Sequence, residues 1–118
     1  MIEYNEILKE KNREKRIEIV LTDAYGDDEQ NEAICCYLSD YMVFPFDAKI
    51  RDDKNSEIFR VLRFTSITPN QIVCEINLNG RITRISLTEI EPIDKKSTNN
   101  LIIEDYLYFI DGNYNFEI

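Results

Sequence analysis

Between Ile17 and Asp47 the sequence contains no lysine or arginine, yet acids stand at Glu18, Asp23, Asp27, Asp28, Glu29, Glu32, Asp40 and Asp47. Carboxylates crowded without basic partners repel one another, and that cost is relieved when a cation binds or a basic surface docks. Oxygen donors suit hard cations. Calcium takes six to eight oxygens, tolerates irregular geometry, and accepts backbone carbonyls and water alongside carboxylates. Asp23, Asp27, Asp28 and Glu29 fall within one turn and the start of the following helix, where they can converge on a single ion. Glu32 follows on that helix, sharing an acidic face with Glu29 and Asp40. Asp40 lies ~18 Å beyond Asp28 along a helix, so it belongs to a second site with Asp47 or loop carbonyls. The same residues have plainer uses: capping for Asp27 or Asp28, dipole matching for Glu29, and solubility for the acidic face as a whole.

The absence of histidine removes Ser-His-Asp and Cys-His nucleophile activation, imidazole acid–base work and His-ligated zinc. The remaining carboxylates, lysines, tyrosines and cysteines form no recognisable catalytic motif, and the expectation is a protein that is not an enzyme. Three cysteines, two of them adjacent at Cys35 and Cys36, do not make a disulfide framework and are read as reduced thiols. No signal sequence and no apolar run long enough to span a bilayer is visible, so the cytoplasm is the expected compartment and no membrane is expected as a partner. The net charge of −9 argues against nucleic acid, since the one basic cluster is Lys9 to Arg16.

The elements that must position these acids follow from periodicity. Tyr4 to Leu21 reads as one charged helix, with Ile17, Val20, Leu21 and Ala24 as its apolar stripe, stopping at Gly26. Asp27 or Asp28 opens a second helix to about Tyr41, with Ala33, Ile34, Tyr37, Leu38 and Tyr41 facing the core and Cys36 outside it. After Phe44-Pro45-Phe46 the period changes to two, with Phe46, Ala48 and Ile50 alternating with charged residues. Further strands are expected over Glu57 to Ile67 with Ile58, Val61, Leu62, Phe64 and Ile67, and over Gln71 to Asn79 with Ile72, Cys74, Ile76 and Leu78. Asn79-Gly80 signals a two-residue hairpin into Arg81 to Ile90, where Ile82, Ile85 and Leu87 are the apolar positions. A last helix, Leu101 to Ile110, is expected to turn Ile102, Tyr106, Phe109 and Ile110 inward and to end at Asp111-Gly112.

The motifs Thr22-Asp23-Ala24-Tyr25-Gly26-Asp27-Asp28-Glu29-Gln30, Tyr37-Leu38-Ser39-Asp40 and Phe44-Pro45-Phe46-Asp47-Ala48-Lys49 resemble the N-terminal signature of the cyanobacterial-type calcium-binding protein family, CcbP. Asn79-Gly80-Arg81 and Ser86-Leu87-Thr88-Glu89-Ile90 are similar to that family's closing hairpin and last strand, so the resemblance covers roughly residues 17 to 92. It implies calcium binding at an acidic surface, as a buffer or regulator of free calcium, with no catalytic step.

An EF-hand loop is excluded. Counted from Asp23, positions 3, 6 and 12 would be Tyr25, Asp28 and Ile34 instead of an oxygen ligand, glycine and glutamate. Counted from Asp111, Asn113, Asn115 and Glu117 have the right early offsets, but Gly112 is misplaced and position 12 lies beyond residue 118.

The expected molecule is an α+β single unit over residues 1–118. Helices in an acidic segment (1–43) pack on a small antiparallel β-barrel of Src-homology or Tudor type (44–92), followed by a C-terminal helix (99–111). The calcium ligands are drawn from Asp23, Asp27, Asp28, Glu29, Glu32, Asp40 and Asp47. The alternative is an interaction module whose acidic face docks a basic protein partner, or mimics nucleic acid to do so.

Overall fold

The computed structural model describes residues 4–68 and 71–111. Three helices come first: α1 (Tyr4–Lys9), α2 (Arg13–Val20) and α3 (Asp27–Tyr41). The single helix expected over Tyr4 to Leu21 is therefore broken. Asn12 takes extended backbone angles and its side chain accepts the Lys15 N–H at 3.1 Å, capping α2 and ending the run from α1. In α3, Ile34, Tyr37 and Leu38 are buried and Ala33 and Tyr41 half-buried, the stripe that a 3.6-residue period predicts, while Cys36 is exposed.

Five strands follow: β1 (Phe46–Ile50), β2 (Phe59–Thr68), β3 (Gln71–Leu78), β4 (Arg81–Ser86) and β5 (Ile90–Pro92), in the order β4-β3-β2-β1-β5, all pairs antiparallel. A 3-10 turn, Leu87–Glu89, carries the chain from one edge strand to the other. Four strand spacings amount to ~19 Å, whereas the backbone from Ser86 to Ile90 reaches about 14 Å at most, so the sheet must curl. Curling does not become closure. No ladder joins β4 to β5 among the described residues, so the expected barrel is an open, curled sheet. The register shifts along β2 between Val61 and Arg63 and between Phe64 and Ser66 bend the sheet, while β5, with three residues, leaves β4 little to pair with.

The hairpin at Asn79-Gly80 forms as its residues require, with φ of 54° and 87° and Leu78 opposite Arg81. Ile72, Cys74 and Ile76 of β3 face inward. Ile82 does not, being 54% exposed. It and Ile85 are three residues apart and cannot share a face in a strand, and the register sets the half-buried Ile85 opposite the buried Cys74, leaving Ile82 on the other face. Ile58 is exposed for the related reason that it precedes β2, whose inner face begins with Phe59 and Val61.

The last helix, α4 (Thr98–Ile110), starts earlier than Leu101 because Ser97 caps it, accepting the Asn100 N–H at 3.1 Å. Ile102, Ile103 and Tyr106 are buried between α3 and the sheet. Phe109 is half-buried and Ile110 exposed, so the inward face is rotated toward Ile103. Asp111 caps α4, and the expected Gly112 stop and the offsets at Asn113, Asn115 and Glu117 lie outside the described residues.

Candidate metal site

The turn between α2 and α3 is set by backbone rather than by a side-chain cap. Ala24 is buried and its N–H donates to the Leu21 carbonyl at 2.9 Å, folding the chain back after α2. Asp23 occupies the left-handed region at φ 66° and Gly26 at φ 87°, the latter as the N-cap of α3 with no side-chain bond. Gly26 suits that angle at no steric cost, and aspartate is among the few other residues that adopt it readily. The Glu29 carboxylate reaches back to accept the Tyr25 N–H at 2.7 Å. The carbonyl oxygens of Asp23, Ala24 and Tyr25 accept no hydrogen bond from any of the described residues.

Asp23, Asp27, Asp28, Glu29 and Glu32 are all exposed on this turn and the first two turns of α3. None of them is ion-paired among the described residues. The partial positive charge of the α3 N-terminus steadies the first-turn acids Asp27, Asp28 and Glu29 but leaves their outer oxygens free. Asp40 is exposed three helical turns on, beside Cys36 at the edge of a cleft of ~220 Å³ with an apolar lining from Ile7, Ile19 and Val20. Asp47 points out of β1, where Arg60 Nε meets its Oδ1 at 3.3 Å. It is the one expected ligand with a cation of its own.

Among the described residues no three carboxylate or thiol side chains stand close enough to share an ion. The acids of the turn extend into solvent, as like charges do. The donor chemistry nevertheless fits a hard cation: oxygens only, no basic partner, and open carbonyls within the same turn.

A second carboxylate cluster has the opposite character, and sequence reasoning passed over it. Asp105 on α4 is fully buried. Arg16 of α2 clasps it with two bonds, Nε to Oδ2 at 2.9 Å and Nη2 to Oδ1 at 2.8 Å, while its Nη1 donates to the Glu10 carbonyl at 2.6 Å. Tyr37 of α3 donates its hydroxyl to Oδ2 at 2.8 Å, and Arg13 adds a bond from Nε to Oδ1 at 3.2 Å. The Asp105 bonds hold the Arg16 pKa above its ordinary value against the opposing effect of burial. Burial, and then the Asp105 charge, push the Tyr37 phenol well up. The sequence signal was an acid on an apolar stripe, three residues after Ile102 and next to Tyr106, matched by Arg16 beside the buried Ile17.

The thiols are not placed for metal binding. Cys74 is buried and its pKa is pushed up to about 12 by that burial, Cys35 is raised by burial and then by its neighbours Cys36 and Glu32, and no disulfide forms.

The CcbP family model, described as calcium binding, matches residues 15–110. The match thus takes in α4, beyond the stretch on which the motif resemblance rests. No curated protein matches the chain. Among solved structures, a calcium binding protein in the calcium-binding form superposes with a TM-score of 0.70 at 24% identity, over 93% of this chain and 98% of the other. The crystal structure of CcbP from Anabaena superposes with a TM-score of 0.70 at 26% identity, over 91% and 95%. With most of its length matched by the family model and its fold shared with these structures, the chain belongs to the CcbP calcium-binding family.

Proposed function

We propose that this protein binds calcium at the turn between α2 and α3, and that it buffers or regulates free intracellular calcium without catalysing a reaction. One observation carries the assignment of the site: Asp23, Asp27, Asp28, Glu29 and Glu32 lie close in sequence, exposed and without a cationic partner among the described residues, in a chain of a calcium-binding family. Asp27, Asp28 and Asp23 are the primary carboxylate ligands, with Glu29 and Glu32 completing or replacing them as the side chains turn inward. Open carbonyls of the turn and water supply the remaining oxygens. Asp40 contributes to a second, weaker site, and Asp47 joins it only by releasing Arg60. The ion supplies charge neutralisation, and the chain supplies hard oxygens on a turn already shaped by Asp23 and Gly26. The geometry is not that of an EF-hand, and free thiols at Cys35, Cys36 and Cys74 agree with a reducing cytoplasm.

Calorimetric titration of calcium into the chelator-treated protein tests this reading. Saturable heat with an affinity between micromolar and millimolar is expected, weaker for magnesium, which demands a tighter octahedron. Absence of heat and of a melting shift at millimolar calcium would refute it and favour the acidic face as a docking surface for a basic protein.

A further inference from the structure

The strand β4 ends the sheet order, and the described residues place nothing hydrogen-bonded against its outer side. In a two-residue hairpin the pair flanking the turn exchanges both its backbone bonds, and such pairs alternate along the ladder. Leu78↔Arg81 and Ile76↔Thr83 are those pairs here, so the backbone N–H and C=O groups of Ile82 and Arg84 point to the open edge. The same four residues, Arg81 to Arg84, are all exposed. Most arginines of the chain are engaged: Arg13, Arg16, Arg60 and Arg63 with carboxylates and Arg51 with the Ile90 carbonyl. Arg81 and Arg84 make no ion pair or side-chain hydrogen bond among the described residues. A chain of net charge −9 therefore keeps two free guanidinium groups on its one edge strand of six residues, flanking the exposed Ile82.

We infer that the β4 edge receives an acidic, extended segment of another protein as an added antiparallel strand. Free main-chain groups supply the ladder, and the arginines choose the sequence. Side chains directly opposite share a face, so the incoming strand wants acids opposite Arg84 and Arg81 and an apolar residue opposite Ile82. Read from its own N-terminus it runs acid, small polar, apolar, acid. A second copy of this chain is the wrong occupant. Paired antiparallel with itself, β4 (Arg-Ile-Thr-Arg-Ile-Ser) has no acid to set opposite Arg81 or Arg84, so a second copy leaves both guanidinium groups uncompensated. The exposed arginines blunt the edge against indiscriminate pairing and make it complementary to an acidic strand. The inference is independent of calcium binding.

The test is fluorescence anisotropy, in chelator, with a labelled eight-residue peptide containing Glu-Thr-Val-Glu and a partner peptide containing Lys-Thr-Val-Lys. The wild-type protein is expected to bind the glutamate peptide at least tenfold more tightly than the lysine peptide. The double variant Arg81→Glu/Arg84→Glu changes only exposed side chains, and it should reverse that preference with an unchanged circular dichroism spectrum. Failure of the wild type to bind the glutamate peptide, or equal binding by wild type and variant, overturns the proposal. So does sedimentation showing wild-type dimers that the double variant abolishes, since the edge would then be occupied by a second copy.

Discussion

Asp105 and the acids of residues 23–32 are the same chemical group in opposite surroundings. Asp105 is wholly buried, and two arginines and a tyrosine direct their donors at it. The turn acids are exposed, and no cation among the described residues approaches them. A buried carboxylate must be satisfied within the chain, because an uncompensated charge in the interior costs several kcal/mol. An exposed one is hydrated and can wait for a ligand. The first kind ties α2, α3 and α4 together, and the second lies on the turn between α2 and α3 and on the first two turns of α3. Charge count alone does not separate them, whereas burial and partner geometry do.

The contrast is broken most directly by mutation. Asp105→Ala leaves Arg16 buried without its partner and is expected to cost ~3–5 kcal/mol, read by denaturant unfolding. If that variant were as stable as the wild type, the network would not be what locks the helices together. Next in size is the calcium effect. At a hundredfold excess over Kd, calcium should stabilise the wild type by ~2.7 kcal/mol, and Asp27→Asn/Asp28→Asn should lose most of it. Without calcium the same double variant should stay within about 1 kcal/mol of the wild type, because relief of repulsion opposes the loss of favourable dipole contacts. Neutralising an acid would thus cost several kcal/mol in one region and little, without calcium, in the other. Tyr37→Phe removes one donor from Asp105 and should cost ~1–2 kcal/mol with calcium affinity unchanged.

The smallest effect concerns Glu91 on β5, whose carboxyl is held below its ordinary range by hydrogen bonding to Lys95 at 2.7 Å and Lys49 at 3.3 Å, against opposing desolvation. A carboxyl lowered in the folded state stabilises above its unfolded pKa and loses that contribution as pH falls through the folded value. Glu91→Gln should therefore lower stability at neutral pH by under ~1 kcal/mol. The difference from wild type should shrink in acid, below about pH 4.5. A gap that widens in acid would reverse the assigned sign.

Much of this was legible in the sequence where one local rule sufficed. Asn79-Gly80 specified its hairpin, period-two alternation placed Ile72, Cys74 and Ile76 in the core, and the apolar stripe of α3 followed its helical spacing. What depended on non-local partners was not. The break at Asn12 is a cap competing with helix propensity, and the inward turn of Asp105 is decided by Arg16, 89 residues away. Barrel closure hinges on whether β4 and β5 pair, which strand patterns cannot state. For the metal site, the sequence identified a stretch of acids without bases, and the structure shows which of them stay unpaired. Asp47 is drawn to Arg60 by the β1–β2 register, in which Asp47 faces Arg60.

The central claim is best tested by residue-resolved amide NMR during a calcium titration of the wild-type protein. Saturable shifts should concentrate at residues 22–33, with the amides around Asp105 nearly unmoved. Shifts centred elsewhere, or a uniform drift with ionic strength and no saturation, would contradict the assignment of calcium to the turn between α2 and α3.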